Sequence, residues 1–178
     1  MARDVNEMKE DETMEKESKA LTQRPLSLRV ALTAITAALY TALGYVFQPI
    51  SYLGIQFRVA ELMVGMCVIF PLEGLIGNVI GVFFVNLTSP LGMIDLLSCV
   101  VNIPALACII YFRDKGPLKY LGGVLYAIII SLYVAAILNY VLGLPYWLMF
   151  IQVLIAEVIL ATAGIALFTY VNKALAWT

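Results

Sequence analysis

Residues 120–156 read YLGGVLYAIIISLYVAAILNYVLGLPYWLMFIQVLIA, 37 consecutive positions without an Asp, Glu, Lys or Arg. A helix rises about 1.5 Å per residue, so about 20 apolar residues cross a bilayer core. The stretch is too long for one span, and Gly143-Leu144-Pro145 divides it, because glycine closes helices and proline breaks them. It predicts two membrane helices, Leu118–Leu142 and Tyr146–Asn172. Working outward, Leu91–Phe112 is a further apolar segment. The stretch Val59–Leu87 is broken by Pro71-Leu72-Glu73-Gly74 into two pieces of about 13 residues. These are short for spans and fit either tilted short helices or a re-entrant pair. Residues 30–57 are uncharged and predict a first helix over Leu28–Phe47, ended by Pro49. The expectation is an all-α integral membrane protein with six transmembrane helices.

Charge sets the domain boundary and the orientation. Residues 1–24 hold 5 basic and 7 acidic side chains, whereas 25–178 hold 6 basic and 5 acidic. A soluble domain carries about a quarter charged residues. Residues 1–25 are therefore expected to be a charged, disordered cytoplasmic tail, too acidic for a signal peptide. Residues 26–178 are expected to be the membrane domain. Arg24 and Arg29 precede the first helix, Arg113, Lys115 and Lys119 lie between the fourth and fifth, and Lys173 follows the sixth. All fall on one side of a six-helix topology, so the positive-inside rule places both termini in the cytoplasm. Tyr146, Trp147 and Trp177 fit interfacial belts.

Composition excludes several functions. The chain has no histidine, which removes HExxH metalloproteases, His-bearing catalytic triads and His-rich metal sites. It has no GxxxxGK[ST], so it does not bind ATP through a P-loop. Cys67, Cys99 and Cys108 are isolated in apolar runs and read as unpaired thiols. No metal site or cofactor is expected. The near-neutral balance gives no nucleic-acid footprint.

The polar residues left inside the spans are the candidates for function, since each costs about 2.5–3.5 kcal/mol at mid-span when charged. Arg58 and Glu61 open the second segment, Asp95 lies one turn into the fourth, and Glu157 lies 11 residues into the sixth. Asn86, Ser89 and Asn139 fall near the same outer face, with Gln152 above Glu157. Arg58 and Glu61 could pair with each other. Asp95 could cap its helix, and Asn86 and Asn139 could bond between helices. Glu157 has no cation at its depth on its own helix, which favours a ligand-binding carboxylate. Glu73 sits at the inner boundary and reads as a solvated loop carboxylate. One arginine against three acids favours a ligand that offers N–H donors or positive charge, such as an amidine or a guanine-like edge. Tyr45, Phe47, Tyr52, Phe57, Tyr133, Tyr140, Tyr146 and Trp147 are available as stacking walls. Ala34, Ala38 and Ala42 form a small-residue stripe on the first helix, suited to intrachain packing or to docking another membrane subunit.

Several strings carry a family resemblance. They are Pro49-Ile-Ser, Ile55-Gln-Phe-Arg58-Val-Ala-Glu61, Phe70-Pro71-Leu-Glu73, Asn86-Leu-Thr-Ser89-Pro90-Leu-Gly92-Met-Ile-Asp95, Gly143-Leu-Pro-Tyr-Trp147 and Ala156-Glu157. Over about residues 26–172 the chain resembles the QueT family, substrate-binding subunits (S components) of energy-coupling factor transporters that take up queuosine precursors. The resemblance implies an S-component-like bundle with an outward-facing pocket capped by the Gln48–Phe57 loop, which adds Gln56 to the candidate ligand contacts. It implies a 7-deazaguanine ligand carrying a cyano or aminomethyl group, or queuine. Glu157 would take the base edge, and Asp95 or Glu61 the second polar end. It also implies partners, a membrane coupling subunit (T component) and two cytoplasmic ATPases, with Ala34, Ala38 and Ala42 as the docking stripe. The location implied is the cytoplasmic membrane of a prokaryote. The competing readings are the same fold with another vitamin or nucleobase, a stand-alone secondary transporter, and an intramembrane enzyme. The last lacks a second aspartate or a nucleophile–base pair in the spans.

Overall fold

The structure, a computed structural model, describes residues 24–51 and 57–175. The acidic tail before Arg24, Gln56 and Trp177 lie outside the described residues. The described residues fall into two units, one ending at Ala31 and one beginning at Leu32. In the first, the Pro25 carbonyl accepts from the N–H groups of Leu28 (3.0 Å) and Arg29 (3.2 Å) and so starts the first helix.

The described residues contain no strand. Their helices are α1 (Leu26–Val46), α2 (Gln48–Ser51), α3 (Met66–Ile69), α4 (Pro71–Asn86), α5 (Ser98–Phe112), α6 (Lys119–Leu142) and α7 (Tyr146–Leu175). Three 3-10 helices, Val59–Gly65, Met93–Leu97 and Gly116–Leu118, lead into α3, α5 and α6. Among the described residues, four helical stretches are long and apolar enough to cross a membrane: Leu26–Val46, Met93–Phe112, Gly116–Leu142 and Tyr146–Ala174. Val59–Ile69 and Pro71–Asn86 are apolar but shorter.

Local chemistry explains the boundaries. Phe70 is extended (φ −127°, ψ 82°) because it precedes Pro71, and Pro71 opens α4, where a missing N–H costs nothing. Gly143 adopts φ +67° and closes α6 by donating to the Asn139 carbonyl at 3.0 Å. The expectation that Pro49 ends the first helix is corrected. α1 stops at Val46, and Pro49 is the second residue of the separate α2, a position proline tolerates. Asp95 lies in the 3-10 helix ahead of α5 rather than one turn into an α-helix.

Glu73 also differs from the solvated loop carboxylate expected of it. It is buried in the first turn of α4, where the helix dipole favours an acid. The elbow between α3 and α4 is tight, and a Cβ on Gly74 would lie 2.8 Å from the Cys67 nitrogen.

Within the second unit, α6 packs between α5 and α7, and α7 lies along the Val59–Gly65 segment. Val64, Leu106, Ile109, Tyr126, Leu138 and Ile165 form the centre of the core. Two close approaches depend on glycine. A Cβ on Gly164 would lie 2.3 Å from the Leu62 carbonyl oxygen, and a Cβ on Gly81 would lie 2.6 Å from Tyr40 Cβ. Thr36, Ala37, Tyr40 and Gly44 are the buried side of α1. Ala34, Ala38 and Ala42 are exposed on its other side, so the stripe is not used for packing within the described residues.

Candidate ligand-binding site

The 3-10 turn that begins after Arg58 positions two of the four charged candidates, with the Glu61 N–H donating to the Arg58 carbonyl (2.9 Å). Glu61 is buried, and both its carboxylate oxygens are engaged. Oε1 accepts from Tyr40 OH at 2.7 Å, and Oε2 accepts from Tyr126 OH at 2.5 Å. Tyr126 OH also reaches Asn102 Oδ1 (3.1 Å), and Asn102 Nδ2 donates to the Ser98 carbonyl (3.2 Å). Glu61 thus ties together α1, α5 and α6.

Arg58 turns toward Asp95, with Nη2 3.6 Å from Oδ2 and both side chains largely buried. That separation is an ion pair rather than a hydrogen bond. Ser89 Oγ donates to the same Asp95 oxygen at 2.7 Å and accepts from the Leu91 N–H at 3.2 Å. Around the Asp95 backbone, its carbonyl accepts from Ser98 Oγ (2.6 Å) and from Asn86 Nδ2 (3.0 Å). Asn86 Nδ2 also meets Ser98 Oγ at 2.6 Å. This network holds the α4–α5 connection to the segment that carries Arg58. Asp95 is therefore charge-paired as well as placed at the start of a helix.

Glu157 is different. It is 1% exposed on α7, within electrostatic reach of Glu61 and Arg58. Its Oε2 has no hydrogen-bond partner among the described residues. Asn78 Oδ1, Asn86 Oδ1, Gln152 Oε1 and Ser131 Oγ share that condition. An orphaned buried polar atom costs about 1–3 kcal/mol, more when charged. A buried carboxylate oxygen in that condition suits a ligand that brings N–H groups to it.

Arg58 and Glu61 share one 3-10 turn, Glu157 lies within electrostatic reach of both, and Asn86, Ser89 and Asp95 form one network with Arg58. Asn139 and Trp147 do not join them. Asn139 is exposed and donates to the Leu144 carbonyl (2.7 Å), fastening the loop after α6. Trp147 is 70% exposed and packs edge-on against Tyr146 and Phe150, with ring centroids 5.2 and 6.1 Å away. Among the aromatic candidates, Tyr45 donates to the Phe84 carbonyl (2.9 Å) and Tyr133 to the Ile94 carbonyl (3.0 Å). Gln56 cannot be placed with the others because it lies outside the described residues. Sequence reasoning missed Tyr40, Tyr126, Asn102, Ser98 and Ser131. The available signal was a polar side chain inside an uncharged run, which needs a partner across the helix interface.

No curated protein and no solved structure matches the chain. The QueT transporter family model matches residues 30–173, a span that holds Arg58, Glu61, Asp95 and Glu157. The chain is a membrane transport component and belongs to the QueT transporter family.

Proposed function

We propose that the chain is the substrate-binding membrane subunit of an energy-coupling factor importer in a prokaryotic cytoplasmic membrane. In this reading it crosses the bilayer six times, with Val59–Ile69 and Pro71–Asn86 as two short passes and both termini cytoplasmic. It captures a 7-deazaguanine from the outer side. A coupling subunit and two ATPases then drive uptake, since no P-loop occurs in this chain.

One observation supports the ligand class above the others: the buried Glu157 Oε2 without a partner among the described residues. A carboxylate accepts two parallel N–H bonds from a guanine-type edge. Glu61 is occupied by Tyr40 and Tyr126, which leaves Glu157 for the base and the Arg58–Asp95 pair for the 7-substituent. An aminomethyl cation meets Asp95, and a cyano nitrogen accepts from Arg58.

The test is calorimetric titration of the purified protein in detergent with 7-aminomethyl-7-deazaguanine, its 7-cyano analogue, queuine and guanine. Tight binding of one deazaguanine with weak guanine binding is expected. Each hydrogen bond to a charged group contributes about 1.5–3 kcal/mol, so Glu157→Gln should weaken binding by roughly 100-fold. Equal affinity in Glu157→Gln removes the assignment, and silence from all four ligands removes the substrate class.

A further inference from the structure

Glu157 does not stand alone at its depth. α6 carries Gly123, Ala127, Ser131 and Ala135 at four-residue spacing, all buried. α7 carries Val153, Glu157, Ala161 and Ile165 at the same spacing, all buried. The register between the two rows is anchored at one end, where a Cβ on Gly123 would lie 2.8 Å from Ile165 Cδ1 and 3.8 Å from Ala161 Cβ. The helices are antiparallel across the short 143–145 connection, so each four-residue step up α6 meets a four-residue step back along α7. Stepped by four from that anchor, Ala127 falls between Ala161 and Glu157, Ser131 between Glu157 and Val153, and Ala135 beyond Val153. Ser131 and Glu157 are each 11 residues from their end of that connection, roughly 16 Å along the helix axis. Rows at i±4 interlock when two helices pack, and small residues let them come close.

Every other side chain on these two rows is apolar or absent. Ser131 is 0% exposed, and its Oγ, like Glu157 Oε2, has no hydrogen-bond partner among the described residues. A lone buried serine in a helix ordinarily bonds back to the carbonyl four residues earlier, as Thr36, Thr162 and Thr169 do here. Ser131 does not. Two orphaned oxygens on adjacent rungs are both satisfied if a single ligand edge reaches them.

We propose that Ser131 is a specificity-determining residue for the ligand, its hydroxyl donating to a ring carbonyl beside the N–H groups that Glu157 accepts. The ligand edge so described is donor, donor, acceptor, which is the edge of a guanine-type lactam. The inference rests on the deazaguanine reading and adds a residue to it.

The experiment compares the parent protein and Ser131→Ala in calorimetric titrations with 7-cyano-7-deazaguanine and its 6-thioxo analogue. The analogue keeps both N–H donors and replaces the carbonyl with a weak sulfur acceptor. The parent should prefer the oxo ligand by roughly tenfold. Ser131→Ala should bind the oxo ligand roughly tenfold more weakly and the thioxo ligand about as the parent does, so that selectivity collapses. The melting midpoint of the ligand-free protein should not fall, because the hydroxyl has no partner to lose. Unchanged selectivity in Ser131→Ala overturns the proposal, and so does an equal loss for both ligands or a parent that does not discriminate. A parent that binds neither ligand removes the deazaguanine reading and Ser131 with it. A parent that binds and discriminates, beside a variant that does so equally well, removes Ser131 alone.

Discussion

A carboxylate taken out of water needs donors, and Glu61 and Glu157 meet that need differently. Glu61 receives two tyrosine hydroxyls, from Tyr40 and Tyr126, so its charge is spent on holding three helices together. Tyr126→Phe deletes one donor and leaves a buried charged acceptor short. It should lower stability by about 1–3 kcal/mol, read as a lower melting midpoint in detergent. Glu157→Gln should leave the ligand-free midpoint close to the parent's, because the structure gives Oε2 no partner to lose. A Tyr126→Phe protein as stable as the parent would sink the structural role of Glu61. The positions of the four charged residues were legible in the sequence because charge in an apolar run is conspicuous. Their division of labour was not. Tyr40 and Tyr126 lie 21 and 65 residues from Glu61, and a tyrosine in a membrane helix looks like any other apolar filler until its hydroxyl is placed.

Between elements, the fold depends on close approach as much as on apolar area. α7 passes the Val59–Gly65 segment so closely that Gly65 and Gly164 face each other backbone to backbone, with a Gly65 Cβ falling 2.2 Å from the Gly164 oxygen. Alanine is a better helix former than glycine by about 1 kcal/mol, so Gly164→Ala would stabilise an unhindered site. Here the contact is with backbone and cannot rotate away. The expected net loss is about 1–3 kcal/mol, measured by thermal unfolding, and a variant that melts above the parent would refute it. Gly143→Ala provides the contrast. Its φ of +67° disfavours a side chain while the space around it is open, and the cost should be about 1–2 kcal/mol from backbone strain alone. Local signals of this kind made the long helices readable. Leu118–Leu142 was expected and Lys119–Leu142 is found, because glycine, proline and charge mark ends on their own. The 3-10 geometry at 59–65 and 93–97 was not readable, since it is imposed by neighbours rather than by residue preference.

Across the second unit, α1 presents two different faces, one buried and one open. Tyr40 of α1 reaches inward to Glu61, while Ala34, Ala38 and Ala42 line an open groove of about 660 Å³ with Tyr45, Ile80 and Phe84. Large apolar side chains around it, Ile35, Leu39 and Phe83 among them, are also exposed, as expected of a surface that meets lipid or another membrane helix. Under the function proposed above, the chain would hand its ligand to a motor, and a small-residue groove lets a partner helix come close enough to respond. Ala38→Trp fills that groove without touching Glu157, Ser131 or the Arg58–Asp95 pair. It should leave deazaguanine affinity within about twofold of the parent, since sites without shared partners behave independently. Uptake into vesicles reconstituted with the coupling subunit and the ATPases should fall to background. Parent-like uptake by Ala38→Trp would place the docking contact elsewhere, and ligand-driven flux by this chain alone would make it a transporter in its own right. Retained binding with lost uptake would place the partner contact on the open face of α1.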